Sequence, residues 1–188
     1  MATDPYYDSN VVLHLKGNGE HNSTTIVDQK GNIIGLVGDV KLSTVQKKFG
    51  TASILFNQTG QCCSVTGSAI ALGATDFTLE LWVYPTVTTP GALLFCGVTD
   101  TKDYLLFALG FSTESDKVGF PYFSIWTNGI NKTLTSLIPL IENTWSHVAL
   151  VRSSNIFNLY INGFLAESTS ASITIETPDI WYLGGYNE

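Results

Sequence analysis

Trp145-Ser-His-Val-Ala-Leu-Val-Arg152 and Leu159-Tyr-Ile-Asn-Gly-Phe-Leu165 lie in one continuous stretch whose apolar and polar residues alternate. Successive side chains on a strand point to opposite faces. Val148, Leu150 and Arg152 therefore share one face, and Trp145, His147, Ala149 and Val151 share the other. Ser153-Ser-Asn155 turns the chain back, and Asn162-Gly163 supplies the positive φ angles of a tight type I′ hairpin. The stretch reads as a β-meander with two turns. It holds no reactive constellation, so it is scaffold rather than site.

The same period-two pattern recurs on both sides of it, broken by clusters of Gly, Asn, Asp and Thr, which is the pattern of a sandwich. Strands are expected at Val11–Leu15, Ile33–Val37, Ser53–Asn57, Cys62–Val65, Phe77–Tyr84, Ala92–Gly97, Tyr104–Gly110 and Val118–Thr127. Further strands are expected at Lys132–Leu137, Trp145–Arg152, Phe157–Ile161, Phe164–Ala166 and Ile180–Leu183, with one helical turn at Ser68–Leu72. Phe77, Leu79, Leu81 and Val83 belong to the core face of their strand, with Thr78, Glu80, Trp82 and Tyr84 opposite. No linker or repeat divides the chain, so residues 1–188 read as one all-β domain.

A chain of 188 residues can bury about 70% of the surface its unfolded form exposes, and needs no staples. Charged residues make up 13% of it, about half the usual share. Solubility then comes from Ser, Thr, Asn and Gly, or part of the surface is covered by partner subunits. The net charge of −7 disfavours nucleic acid and anionic membrane as partners. No apolar run is long enough to span a bilayer. No N-terminal stretch joins a positive segment to an apolar one, so synthesis without a signal peptide is expected. Three cysteines, two of them adjacent at Cys62 and Cys63, suggest buried reduced thiols. Asn22-Ser-Thr, Asn57-Gln-Thr and Asn131-Lys-Thr fit the glycosylation pattern by chance in a chain rich in these residues.

Several blocks, in order, resemble the laminin-G-like, concanavalin A-like lectin/glucanase superfamily of jelly-roll sandwiches. They are Asn10-Val-Val-Leu-His-Leu-Lys-Gly-Asn18, Asp28-Gln-Lys-Gly-Asn32, Lys48-Phe-Gly-Thr-Ala-Ser-Ile-Leu-Phe56 and Asp76-Phe-Thr-Leu-Glu-Leu-Trp-Val-Tyr-Pro85. The Trp145–Arg152 and Leu159–Gly163 motifs and Tyr182-Leu-Gly-Gly185 complete the series. The first block followed by Lys48-Phe-Gly looks most like the versions found in tailed-phage virion proteins. That resemblance implies a concanavalin A-like jelly roll of two curved antiparallel sheets. It also implies a non-catalytic virion module: a capsid decoration or cement protein, or a tail-fibre component. Its partners would be other virion proteins and itself, with a trimer expected by analogy. The family usually continues past Leu-Gly-Gly with one more strand, which pairs beside the first. Here Val11, Val12, Leu13, His14 and Leu15 are therefore expected to form an open assembly edge. The alternative function is a carbohydrate-binding lectin-like module for host-surface recognition.

Glycosidases of this superfamily use a strand bearing several carboxylates, because hydrolysis needs an acid and a second carboxylate a few ångströms away. Glu80 has only Thr78 and Trp82 on its face, so it reads as a hydrogen-bonded or solvent-facing residue. Asp100, Asp103, Glu114 and Asp116 read as solvated turn acids, and His147 as a core histidine. No catalytic group is expected. For sugar, the flat faces of Trp82, Tyr84, Tyr122, Trp126 and Trp181 are candidates, with Asn128 able to donate to and accept from hydroxyls. Calcium is the one cofactor the resemblance raises, through Asp28 with the backbone of Gly31 and Asn32.

Overall fold

The meander forms as its residues dictate. The computed structural model describes residues 9–86, 92–98, 103–109 and 119–184, with the backbone alone for 92–98 and 109. Strands β10 (Ser146–Ser153), β11 (Ile156–Ile161) and β12 (Phe164–Ser170) pair in sequence. Their two turns carry paired positive φ angles, 49° and 68° at Ser154 and Asn155, and 51° and 82° at Asn162 and Gly163. Asn and Gly tolerate this left-handed backbone better than other residues.

Before the meander come β1 (Gly35–Val37), β2 (Lys41–Ser43), β3 (Ser53–Leu55), β4 (Cys62–Thr66), a 3-10 turn (Gly67–Ala69) and β5 (Phe77–Val83). Next are β6 (Ala92–Val98), β7 (Tyr104–Leu109), β8 (Pro121–Thr127) and β9 (Ile130–Thr135), and β13 (Ile180–Gly184) follows the meander. One sheet has seven strands in the order β1-β4-β13-β6-β7-β8-β9, and the other has four, β12-β11-β10-β5. All pairings are antiparallel, and β2 and β3 form a separate two-stranded sheet. This is the all-β sandwich that the patterning predicts, in the jelly-roll form that the resemblance implies. Among the described residues no helix is long and apolar enough to cross a membrane.

The inward faces of the two main sheets supply the core. Phe107, Phe123 and Leu134 come from the seven-stranded sheet, and Leu150, Phe157 and Leu159 from the four-stranded one. Phe123 stacks on Phe157 across the interface, ring centroids 6.1 Å apart. Arg152 shares the core face with Val148 and Leu150, as its register requires, and is 1% exposed. Its guanidinium donates to the carbonyls of Gly73 (3.1 Å) and Ile173 (2.7 Å) and to Asn155 Oδ1 (3.0 Å).

The expected first strand is not one. Val11, Val12, Leu13, His14 and Leu15 enter neither sheet, and the stretch makes a single bridge, from Leu15 to Asp28. The cause is side-chain competition for the backbone. The His14 N–H donates to Asp28 Oδ1 (2.6 Å), the His14 carbonyl accepts from the Gln29 N–H (3.0 Å), and the Val12 carbonyl accepts from the Asn32 amide (2.8 Å). The expected assembly edge is therefore not on these residues. Among the end strands of the two main sheets is β5, which has β10 on one side and, among the described residues, no strand on the other.

Candidate functional site

On β5 the core-facing residues are half-buried, while Thr78, Glu80 and Trp82 face solvent. Trp82 lies opposite His147 on β10, and the two rings pack 5.2 Å apart. His147 Nε2 in turn lies 3.3 Å from a Glu80 oxygen. His147 is thus a partly exposed residue of the outer face, correcting the core position read from its strand. Alternation fixes which residues share its face, but not which face water reaches.

A loop distant in sequence completes the group. Phe49 meets the indole edge-on at 5.7 Å, and Lys48 Nζ sits 4.1 Å from the Trp82 ring centroid. A cation over an aromatic face is attracted by its quadrupole. Phe49 is 65% exposed and Trp82 38%, so the rings present an accessible apolar surface. Tyr84 and Trp145 form a second tilted pair, 5.4 Å apart, at the same end of the two strands. An aromatic platform with one cation and one carboxylate results, drawn from β5, β10 and the loop before β3. Lys48-Phe-Gly is conspicuous in the sequence as a family mark, yet nothing local to it announces contact with Trp82.

The remaining candidates separate. Tyr122, Trp126 and Asn128 belong to β8 and its hairpin, in the other sheet. Trp126 is half-exposed, and Asn128 takes a positive φ of 49° at the hairpin tip. Asp103 is buried rather than solvated: its carboxylate accepts from the Thr127 hydroxyl (3.0 Å) and the Asn128 N–H (3.1 Å), anchoring the tip. Asp100, Glu114 and Asp116 lie outside the described residues. Trp181 is 1% exposed, and its indole N–H donates to the Ile70 carbonyl at 2.9 Å. It belongs to the core and offers no face to a sugar.

Asp28 is 4% exposed, and its carboxylate is already engaged. It accepts from the His14 N–H, the Asn32 N–H (2.9 Å) and the Asn32 side-chain amide (2.7 Å). Gly31 donates to the Asp28 carbonyl. Calcium takes about 6–8 oxygen ligands. Instead, N–H donors from His14 and Asn32 converge on the one carboxylate, and no group of three His, Cys, Asp or Glu adjoins it among the described residues. The set fits a tie between the N-terminal segment and its turn, not a cation cradle.

Burial alone would raise the Asp28 carboxyl, but the backbone N–H groups of His14, Asn32 and Lys30 and the Asn32 amide together hold it below its ordinary value. A depressed folded value stabilises the protein above the unfolded one, and that contribution disappears as pH falls through the folded value. Asp28→Asn should therefore cost about 1–3 kcal/mol near neutral pH. Thermal melts over a falling pH series should show the gap to wild type narrowing only below the carboxyl's ordinary value, as pH approaches the depressed folded one.

Cys62 and Cys63 are buried on opposite faces of β4. Burial raises both thiols, and together with the neighbouring Cys62 it pushes Cys63 up to about 12. Neither forms a nucleophilic site.

The Laminin_G_3 profile, described as the concanavalin A-like lectin/glucanases superfamily, matches residues 57–188. The chain belongs to that family. Among solved structures, a similar one is domain 4 of AbnA, a GH43 extracellular arabinanase from Geobacillus stearothermophilus, in complex with arabinotriose. It is 15% identical with a TM-score of 0.65, over 93% of this chain and 84% of that one. Domains LG4-5 of the mouse laminin alpha1 chain are also similar, at 13% identity and a TM-score of 0.58 over 69% of this chain. This chain spans about a third of that laminin fragment, 33% of its length. No curated protein matches the sequence. At these identities the likeness concerns the laminin-G-like fold, and the platform around Trp82 is a feature of this chain's own residues.

Proposed function

We propose that this laminin-G-like domain is a non-catalytic carbohydrate-binding module, with the outer face of β5 and β10 as its binding surface. The observation that carries the reading is the accessible Phe49–Trp82–His147 group, flanked by Lys48 and Glu80. Pyranose and furanose rings present patches of C–H that stack on aromatic faces, while their hydroxyls need donors and acceptors close by. Trp82 and Phe49 supply the first, and Glu80, Lys48 and His147 the second. The arabinanase domain of the same fold, solved with arabinotriose, supports a saccharide as the ligand class.

A glycan array probed with the full chain tests the proposal, followed by titration of the best oligosaccharide. Trp82→Ala should weaken binding by about 2 kcal/mol, roughly thirtyfold in Kd, while leaving the fold intact. Trp126→Ala in the other sheet should leave the affinity unchanged. An array silent with and without calcium would remove the proposal, and the reverse pattern of the two variants would move the site to the β8–β9 hairpin.

We further propose, from the sequence resemblance of Asn10–Asn18 and Lys48-Phe-Gly, that the module is carried on a bacteriophage particle and recognises host-surface glycan. Mass spectrometry of purified particles tests this, since a virion component should be present in fixed stoichiometry.

A further inference from the structure

We infer that the open edge of β5 receives an added β-strand. The occupant is one extended segment of a partner polypeptide, apolar at alternate positions and basic opposite Glu80, laid into the cleft between β5 and residues 11–15. This goes beyond the glycan proposal and does not rest on it, because it uses the backbone of β5 rather than the Trp82 ring.

The direction of the backbone groups carries the argument. The His147 N–H donates to Asn162 Oδ1 (2.8 Å), and its carbonyl accepts from the Asn162 N–H (2.8 Å). Both groups of His147 thus point toward β11 and away from β5. In an antiparallel pair, residues opposite each other alternate between bonded and non-bonded, so Trp82, opposite His147, points its own N–H and carbonyl outward. Two-residue periodicity extends this to Glu80 and Thr78. Three donors and three acceptors line the edge at intervals of about 6.8 Å, the repeat an extended chain matches. Among the described residues none of these backbone groups is bonded.

Burial and space agree with a missing neighbour. On β10 and β11 the core-facing Val148, Leu150, Phe157 and Leu159 are fully buried, whereas Leu79, Leu81 and Val83 on β5 remain partly exposed. The cleft beside them is about 2900 Å³, with Leu13, Leu15 and Ile54 among its apolar walls. Small-molecule pockets are about 300–1,000 Å³, so this space suits a length of polypeptide. Glu80, on the exposed face of this strand, favours a basic residue in the partner. The chain's own alternating segment, Val11–Lys16, is tied down by Asp28 and Asn32.

Amide hydrogen exchange by NMR on the full chain tests the inference. The probe is a synthetic peptide as long as β5, which has seven residues, with Val and Ile alternating with Thr and a central Lys. With peptide at about ten times its Kd, exchange at Thr78, Glu80 and Trp82 should slow about tenfold, while Leu79 and Leu81, already paired to β10, change little. The same peptide N-methylated on its bonding edge should give no protection, and Glu in place of Lys should weaken it. Absence of protection at those three amides, or equal protection by the N-methylated peptide, would overturn the inference. Slow exchange there without peptide would overturn it too: a second copy fills the edge if the protection depends on protein concentration, and the chain's own residues fill it if not.

Discussion

Trp181→Ala should lower the unfolding free energy by about 3–5 kcal/mol, the range for removing a fully buried large aromatic. β13 is an interior strand of the seven-stranded sheet, bonded to β4 and β6, so the lost volume lies where neighbours on both sides are fixed by ladder bonds. The packing lost includes contact with a core that holds Val65, Ile70 and Leu72. The indole N–H also donates to the carbonyl of Ile70, the residue whose own N–H closes the 3-10 turn after β4 on the Gly67 carbonyl. Trp181→Phe separates the two effects, because it keeps most of the volume and removes only that bond, at about 1 kcal/mol. Denaturant unfolding with both variants checks the ordering. A normal midpoint for Trp181→Ala combined with lost sugar binding would return Trp181 to the ligand-facing role its flat ring suggested in the sequence.

Arg152→Met should cost on the order of 3 kcal/mol, since it removes three hydrogen bonds and takes the guanidinium donor from the buried Ile173 carbonyl. A buried guanidinium usually answers a carboxylate. Here it answers the carbonyls of Gly73 and Ile173 and the Asn155 amide oxygen, and it packs 5.2 Å from the Phe157 ring. Those carbonyls belong to segments far apart in sequence that meet at the Gly73–Ile175 bridge. The damage should therefore be local as well as global: the Ile175 N–H, bonded to the Gly73 carbonyl at 2.9 Å, should exchange faster in the variant than other core amides. Arg152→Lys should recover only part of the loss, because one ammonium cannot reproduce a planar fork.

These two residues also mark how far the sequence could be read. Alternation through Trp145–Arg152 put Arg152 on one face with Val148 and Leu150, though not which face is covered, and Asn162-Gly163 correctly closed the hairpin, because both signals are local. Val11–Leu15 carries an equally good strand pattern but is not a strand. Its backbone is captured by Asp28 and Asn32, and side-chain capture at a separation of 14 or 20 residues leaves no periodic trace. The same limit explains the aromatic candidates. Trp82 and Trp181 sit in similar alternating strands, yet one faces water and the other is enclosed, a difference set by which sheets cover which face. The partners of Trp82 that complete the platform, Lys48 and Phe49, come from a loop more than thirty positions away and appear only once the chain is folded. β2 was not anticipated because three residues, Lys41–Ser43, are too few to show a period.

The two consecutive left-handed turns at Ser154-Asn155 and Asn162-Gly163 bear on the order of folding. Each hairpin closes over a handful of residues, so β10, β11 and β12 can pair at little loop-closure cost. β13 must instead insert between β4 and β6, strands more than eighty positions earlier in the chain. Folding should therefore begin in the meander and end with the docking of β13. Mutations at Leu150 or Leu159 should slow folding, whereas mutations at Trp181 should mainly accelerate unfolding. Stopped-flow kinetics on the three variants would check this, and a slowed folding limb for Trp181→Ala alone would reverse the order.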